Sequence, residues 1–284
     1  MLLERDYLWV SFSRSGDSPE GVQVIERALE ECPKVKHLVV SCNASGQMAR
    51  MVEGRQDALC IVLEDAVNDR SLAMTSSFTN MVLTGQFLAH AWAVDEYEPI
   101  HSALVAAGHS LMPMAADLAK KLASGRYERA CFVGSAALTG AAMESALKVL
   151  ELTAGRVQTM WQSTLGLRHG PMAALNCETL FVSLLSSDLR RQKYEMDLLR
   201  EIVQKQLART TVAIGPCQSH VEDAGDYVLA IDDAAEIPDL YRPALDVIFG
   251  QLLGLFSSLE AGLKPDSPSP TGAISRVVQG IGKY

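Results

Sequence analysis

The chain has 284 residues, 48% of them apolar, enough to bury a core in each of two ordinary domains. Its formal net charge is −9, so it offers no broad cationic surface to nucleic acid or anionic lipid. Any phosphate must therefore be held locally, by loop amides, hydroxyls and an arginine.

Six cysteines, Cys32, Cys42, Cys60, Cys131, Cys177 and Cys217, stand at wide intervals with no CxxC pair and no histidine at zinc-ligand spacing. They read as reduced core thiols, and no metal or organic cofactor is implied. The opening MLLERDYLWV lacks the basic leader, apolar stretch and cleavage site of a secretory signal. No apolar run reaches the roughly 18 residues of a membrane span, and Val247 to Leu263 is interrupted by Gln251 and Glu260. A cytoplasmic protein with no nucleic-acid and no membrane partner is expected.

Along the chain, short β-branched and aromatic runs alternate with segments of helical period, the pattern of parallel sheets flanked by helices. Tyr7–Phe12, His37–Ser41 and Ala58–Leu63 read as buried strands, with helices over Pro19–Cys32 and Thr79–His90. Ala103 to Leu122 is alanine- and leucine-rich with helical spacing, and a domain boundary is placed near Pro99–Ala103. The same grammar then repeats: strand Ala130–Val133, helix Thr139–Thr153, strand Thr179–Leu185, helix Leu189–Lys205, strands Thr210–Ile214 and Tyr227–Ile231, and a last helix Tyr241–Ala261. The expected domains are residues 1–100, residues 101–263, and a tail, 264–284, that reads as an arm. An internal echo supports duplication: Val10-Ser11-Phe12-Ser13-Arg14-Ser15 and Val182-Ser183-Leu184-Leu185-Ser186-Ser187 are both a strand and a serine turn before a helix.

Four stretches could carry chemistry. In SFSRSGDSPE, residues Ser11 to Glu20, a strand runs into a turn crowded with hydroxyls before a helix opens. Free amides there, with Ser13, Ser15 and Ser18, would cup a phosphate dianion, and Gly16 permits the tight path. The plainer reading is a cap, with Asp17 or Ser18 as N-cap and Pro19 at the first helical position. On the helix Thr139–Thr153, Glu144, Lys148 and Glu151 share one face at spacings of four and three. That stripe is either a solvated face or the wall of a cleft, where a carboxylate could act as general base beside the lysine. In LRHGP, Leu167 to Pro171, His169 sits in a Gly/Pro turn, suited to proton transfer or to a structural hydrogen bond. Finally, the polar loop Asp69 to Thr79 leads into a helix that Thr75 or Ser76 could cap, with other hydroxyls available to line a sugar site.

Taken together, SFSRSGDSPE, NDRSLAMTSSFTNM, ESALKVLELTAG, LRHGP and RVVQG give a sequence that resembles the sugar isomerase (SIS) proteins. The similarity is to the bacterial galactosamine-6-phosphate deaminase/isomerase type, also labelled tagatose-6-phosphate ketose/aldose isomerase. The resemblance implies an α/β protein of two doubly wound, flavodoxin-like parallel-sheet halves. Because such a half normally begins with a strand, a Gly-Thr-Ser turn and a helix ahead of the SFSRSG strand, it also implies a first half lacking that strand and helix. By the same carry-over Ser13, Arg14, Ser15 and Ser18 hold a sugar phosphate, and Ala73, Thr75, Ser76 and Arg276 contribute to the substrate site. Glu151 is the base that moves a proton between C1 and C2, Lys148 is the active-site lysine, and His169 assists ring opening, contributed in relatives by a neighbouring subunit; a homo-oligomer is thus implied. Arg276 stands where relatives carry a lysine able to form a Schiff base, and an arginine stays protonated and cannot serve as that nucleophile. The activity implied is deaminating isomerisation of an amino-hexose 6-phosphate to a ketose phosphate plus ammonia. Plain ketose/aldose isomerisation and a catalytically silent sugar-phosphate sensor are the alternatives.

Overall fold

The computed structural model describes residues 6–216, 225–232 and 236–277; Cys217, residues 278–284 and with them the end of the RVVQG stretch lie outside. The chain divides into two compact units, one running to Thr84 and taking in the chain from Ser269 onward, the other spanning Gly85–Pro268. Helix α4 (Val94–Ala123) passes unbroken through residues 99–103, with Pro99 and Pro113 inside it. Burial of Leu104, Ala107, Leu111, Ala115 and Ala119 along one face holds it despite the two missing backbone donors.

The first unit is a three-stranded parallel sheet in the order β1 (Tyr7–Ser13), β2 (Val35–Ser41), β3 (Ala58–Val62). Its central strand is buried nearly throughout, and β1 and β3 are half-buried edges. Helix α1 (Pro19–Glu31) starts with Pro19 in its first turn and buries Val22, Ile25 and Ala28. Val22 and Ile25 pack with Val39 of β2 and with Met48 and Val52 of the short helix α2 (Gln47–Val52). Helix α3 (Ser76–Ala89) follows the polar loop.

The second unit is a five-stranded parallel sheet of β4 (Arg129–Gly134), β5 (Gln158–Ser163), β6 (Thr179–Leu184), β7 (Thr210–Pro216) and β8 (Tyr227–Ile231), in the order β5-β4-β6-β7-β8. This is the 2-1-3-4-5 arrangement of a doubly wound, flavodoxin-like sheet, whose topological switch point lies between β4 and β6. Around it stand α5 (Ala137–Leu152), the single turn α6 (Thr164–Leu167), α7 (Leu189–Gln204) and α8 (Pro243–Glu260). α5 and α8 touch closely because Gly250 and Gly254 of α8 carry no side chain. A Cβ at Gly254 would lie 2.9 Å from the Lys148 carbonyl oxygen, and one at Gly250 would collide with Ser145. The α/β class and the two parallel sheets are as expected from sequence.

The sequence reading needs correction elsewhere. Strand β5 and helix α2 were not anticipated. Of the five described cysteines, all unpaired, only Cys42 and Cys131 are core thiols; Cys32 and Cys60 are half-buried, and Cys177 is exposed in the turn before β6. Burial pushes the Cys131 thiol up to about 12. Among the described residues no helix is long and apolar enough to cross a membrane, and no group of three His, Cys, Asp or Glu side chains is placed to hold a metal ion.

Candidate active site

At the end of β1 the chain turns through Arg14-Ser15-Gly16-Asp17-Ser18 into α1. Gly16 has φ +66°, where a side chain is strained, and a Cβ there would press on Ser41 Oγ at 3.3 Å. Ser13 Oγ accepts from the Gly16 amide and Ser15 Oγ from the Asp17 amide, each at 3.2 Å, so the hydroxyls brace the turn from within. Ser18 is the N-cap of α1, but its side chain makes no capping bond. Asp17 is turned elsewhere, accepting from the Gln47 amide at 2.9 Å and from Asn43 Nδ2 at 3.3 Å. Among the described residues, no side chain thus caps the first-turn amides of α1.

Arg14 is buried, and its guanidinium is aimed at backbone. It donates to the carbonyls of Ser71 at 2.8 Å, Leu72 at 3.2 Å, Ala73 at 3.5 Å and Arg276 at 3.5 Å. The residue therefore ties the turn to the 71–73 loop and to the C-terminal segment. Ala73 is fully buried beneath this clamp, and the Arg276 guanidinium donates to Asn68 Oδ1.

At the start of α3 the amides and hydroxyls of the loop converge on one carboxylate. The acceptor is Asp69, which takes the amides of Thr75, Ser76 and Ser77 at 3.0, 2.9 and 2.9 Å and the hydroxyls of Thr75 and Ser77 at 2.7 and 2.5 Å. Burial opposes its charge, but the bonds from Ser77 and Thr75 outweigh that and hold its carboxyl below the ordinary value. Asp69 organises this loop, and spacing rules overlook it, because its reach spans six residues or more.

On α5 the charged stripe is not a solvated face. Lys148, 2% exposed, puts Nζ 3.1 Å from Glu144 Oε1 and 2.7 Å from Glu151 Oε2. Glu144 is buried as well, whereas the Glu151 side chain keeps 28% of its surface. Burial raises the Glu144 carboxyl, which Lys148 counteracts and the neighbouring Glu151 reinforces. Two carboxylates thus bracket one buried ammonium, and of the three side chains only that of Glu151 keeps appreciable exposure, although its Oε2, the oxygen on Lys148, is buried. His169 follows α6 in an exposed turn, its amide donating to the Gly166 carbonyl at 3.1 Å. Among the described residues no hydrogen bond or ion pair joins His169 to the lysine cluster.

No family model matches the chain. Among individual proteins, it is 33% identical over 279 residues to the D-galactosamine-6-phosphate deaminase AgaS of Escherichia coli O157:H7, covering 96% of this chain and 71% of the relative. A Streptomyces coelicolor protein provisionally named for the same activity is 37% identical over 276 residues, with 96% and 71% covered. The crystal structure of a Clostridium novyi protein, provisionally named a tagatose-6-phosphate ketose/aldose isomerase, superposes with a TM-score of 0.92 at 32% identity, over 98% of this chain and 72% of that one.

Proposed function

The chain belongs to the sugar isomerase (SIS) family of phosphosugar isomerases and deaminases, and from that premise we propose that it converts a 2-amino-2-deoxyhexose 6-phosphate into a ketose 6-phosphate and ammonia, with galactosamine 6-phosphate as substrate and tagatose 6-phosphate as product. The observation that carries the chemistry is the partly exposed Glu151 side chain, its carboxylate held by the buried Lys148 ammonium. A carboxylate paired in this way is fixed in position, as a general base requires.

In the proposed sequence His169 assists opening of the sugar ring to the free aldehyde. Glu151 then removes the proton from C2 to give an enolamine and returns it to C1, which leaves a C2 imine. Water adds to that carbon and the C–N bond breaks, so one water is consumed, one ammonia leaves, and no electron acceptor is needed. Lys148 keeps Glu151 aligned. The turn after β1 supplies the phosphate site: its uncapped α1 amides supplement Ser13, Ser15 and Ser18, while Arg14 shapes the turn through its carbonyl bonds. Thr75, Ser76 and Arg276 belong to the same substrate loop and segment, held by Asp69 and Asn68.

The test is release of ammonia and ketose from galactosamine 6-phosphate by the purified chain and by Glu151→Gln. Loss of a general base costs about 10²–10⁴ in rate. The variant is expected to fall by that factor with substrate affinity largely kept. Near-normal turnover in Glu151→Gln would remove the base assignment. Formation of ketose with the amine retained would favour plain isomerisation.

A further inference from the structure

The second unit contains its own version of the serine turn, at the switch point of its sheet. After β6, Leu185-Ser186-Ser187-Asp188 leads into α7, as Ser13–Ser18 leads into α1. This turn is occupied by the protein itself. Asp239, from the segment ahead of α8, places its carboxylate in the turn. Its Oδ1 accepts from the Ser187 amide at 2.8 Å, the Ser187 hydroxyl at 2.8 Å and Arg242 Nη1 at 3.4 Å. Its Oδ2 accepts from the Ser186 hydroxyl and from Arg191 Nη1 at 3.4 Å. Two hydroxyls, a backbone amide and two guanidinium groups are the donor set by which proteins hold a tetrahedral oxyanion. Two more carboxylates take the donors that remain: Glu195 accepts the Ser186 amide at 2.7 Å, and Asp188 caps α7 at the amides of Arg190 and Arg191. Ser186 is fully buried and Asp239 is 7% exposed, so solvent does not supply these bonds.

We propose that the turn after β6 is an oxyanion cradle permanently filled by the Asp239 carboxylate, so that removing this side chain exposes a site for inorganic phosphate or a small carboxylate in the second unit. The cradle is independent of the reaction proposed above, being defined by the donors around one side chain.

The experiment is thermal unfolding of the full chain, of Asp239→Gly and of Asp239→Gly with Ser187→Ala, in excess inorganic phosphate or formate against chloride at equal ionic strength. Wild type supplies the baseline for anion binding anywhere else in the molecule. Ligand in hundredfold excess over its dissociation constant is expected to raise the Asp239→Gly midpoint by about 5 °C beyond the wild-type response, and Ser187→Ala is expected to erase that gain. If Asp239→Gly responds to both anions no more than wild type does, the proposal falls. Should Asp239→Gly aggregate, refolding it from denaturant in chloride and in phosphate asks the same question. A soluble yield that depends on phosphate supports the cradle, and an equally poor yield in both overturns it.

Discussion

The turns after β1 and after β6 are made of the same materials, serines at the carboxyl end of a parallel strand that feeds a helix, and they stand in opposite electrostatic states. Around the first, Asp17 is drawn off to α2 and no side chain caps α1. Around the second, Asp188, Glu195 and Asp239 meet the helix amides, the turn amides and the hydroxyls. The carboxylate that makes the difference is contributed from 52 residues away. Whether a serine turn can receive a phosphate is therefore set by its tertiary surroundings, not by the turn's own sequence.

The sharpest way to break the contrast is at Arg242, which is fully buried and pairs with Asp246 at 2.7 Å while donating to the Leu185 carbonyl at 2.9 Å. Burial lifts the Asp246 carboxyl to about 6 against the pull of this arginine. Removing one partner of a buried pair typically costs about 3–5 kcal/mol, so Arg242→Ala is expected to lose that much in denaturant unfolding. A loss below about 1 kcal/mol would show that the network is not closed.

Glu195 gives the next effect, through pH. Burial raises its carboxyl from 4.5 to about 7, only partly offset by the bond from the Ser186 amide; Asp239 pushes it up and Arg242 down. Its protonated form is therefore favoured on folding. Stability from this group is fully present below the unfolded value of 4.5 and is lost as pH rises toward 7, at up to about 1.4 kcal/mol per pH unit. Glu195→Gln is expected to flatten stability between those limits. An unchanged profile would reassign the slope.

The two turns should also separate in function. Ser13→Ala and Ser15→Ala are each expected to weaken sugar-phosphate binding about tenfold, the worth of a hydrogen bond to a charged group, with little change in melting. Ser187→Ala should leave binding alone and lower the melting point. The smallest effect is at the α3 cap: Asp69→Ala is expected to cost about 1 kcal/mol in unfolding experiments at neutral pH. Because the folded Asp69 carboxyl lies below its ordinary value, the cap's contribution is present above 3.8 and fades as acid protonates it. The difference between wild type and variant should shrink accordingly in acid, and a constant difference would show that the charge is not what counts.

Much of the fold was legible because the central strands are buried on both faces and read as unbroken apolar runs, as in LFVSL of β6 and HLVVS of β2. Strand β5, QTMWQS, was not, since at the sheet edge it exposes Gln158, Trp161 and Ser163 and half-buries the rest, with neither an apolar run nor a strict period of two. Pro99 and Pro113 lie inside α4, where packing along one face overrides the local preference of proline against a helix interior. At the site, the spacing of Glu144, Lys148 and Glu151 was visible, while its burial was not. The close approach of α8 through Gly250 and Gly254 removes that face from solvent, and this is a property of the partner helix. Asp239 and Arg242 were not legible because they reach Ser187 and Leu185 from more than 50 residues away, and Asp69 and Glu195 because their bonds, six to nine residues along the chain, follow no cap or helix spacing.

The central claim, that the sugar phosphate belongs to the turn after β1 and that its counterpart after β6 is closed, is tested most directly by calorimetric titration with galactosamine 6-phosphate. The account predicts one ligand per chain, binding lost in Ser13→Ala/Ser15→Ala and kept in Ser187→Ala. Binding that survives the first change and disappears with the second would contradict it.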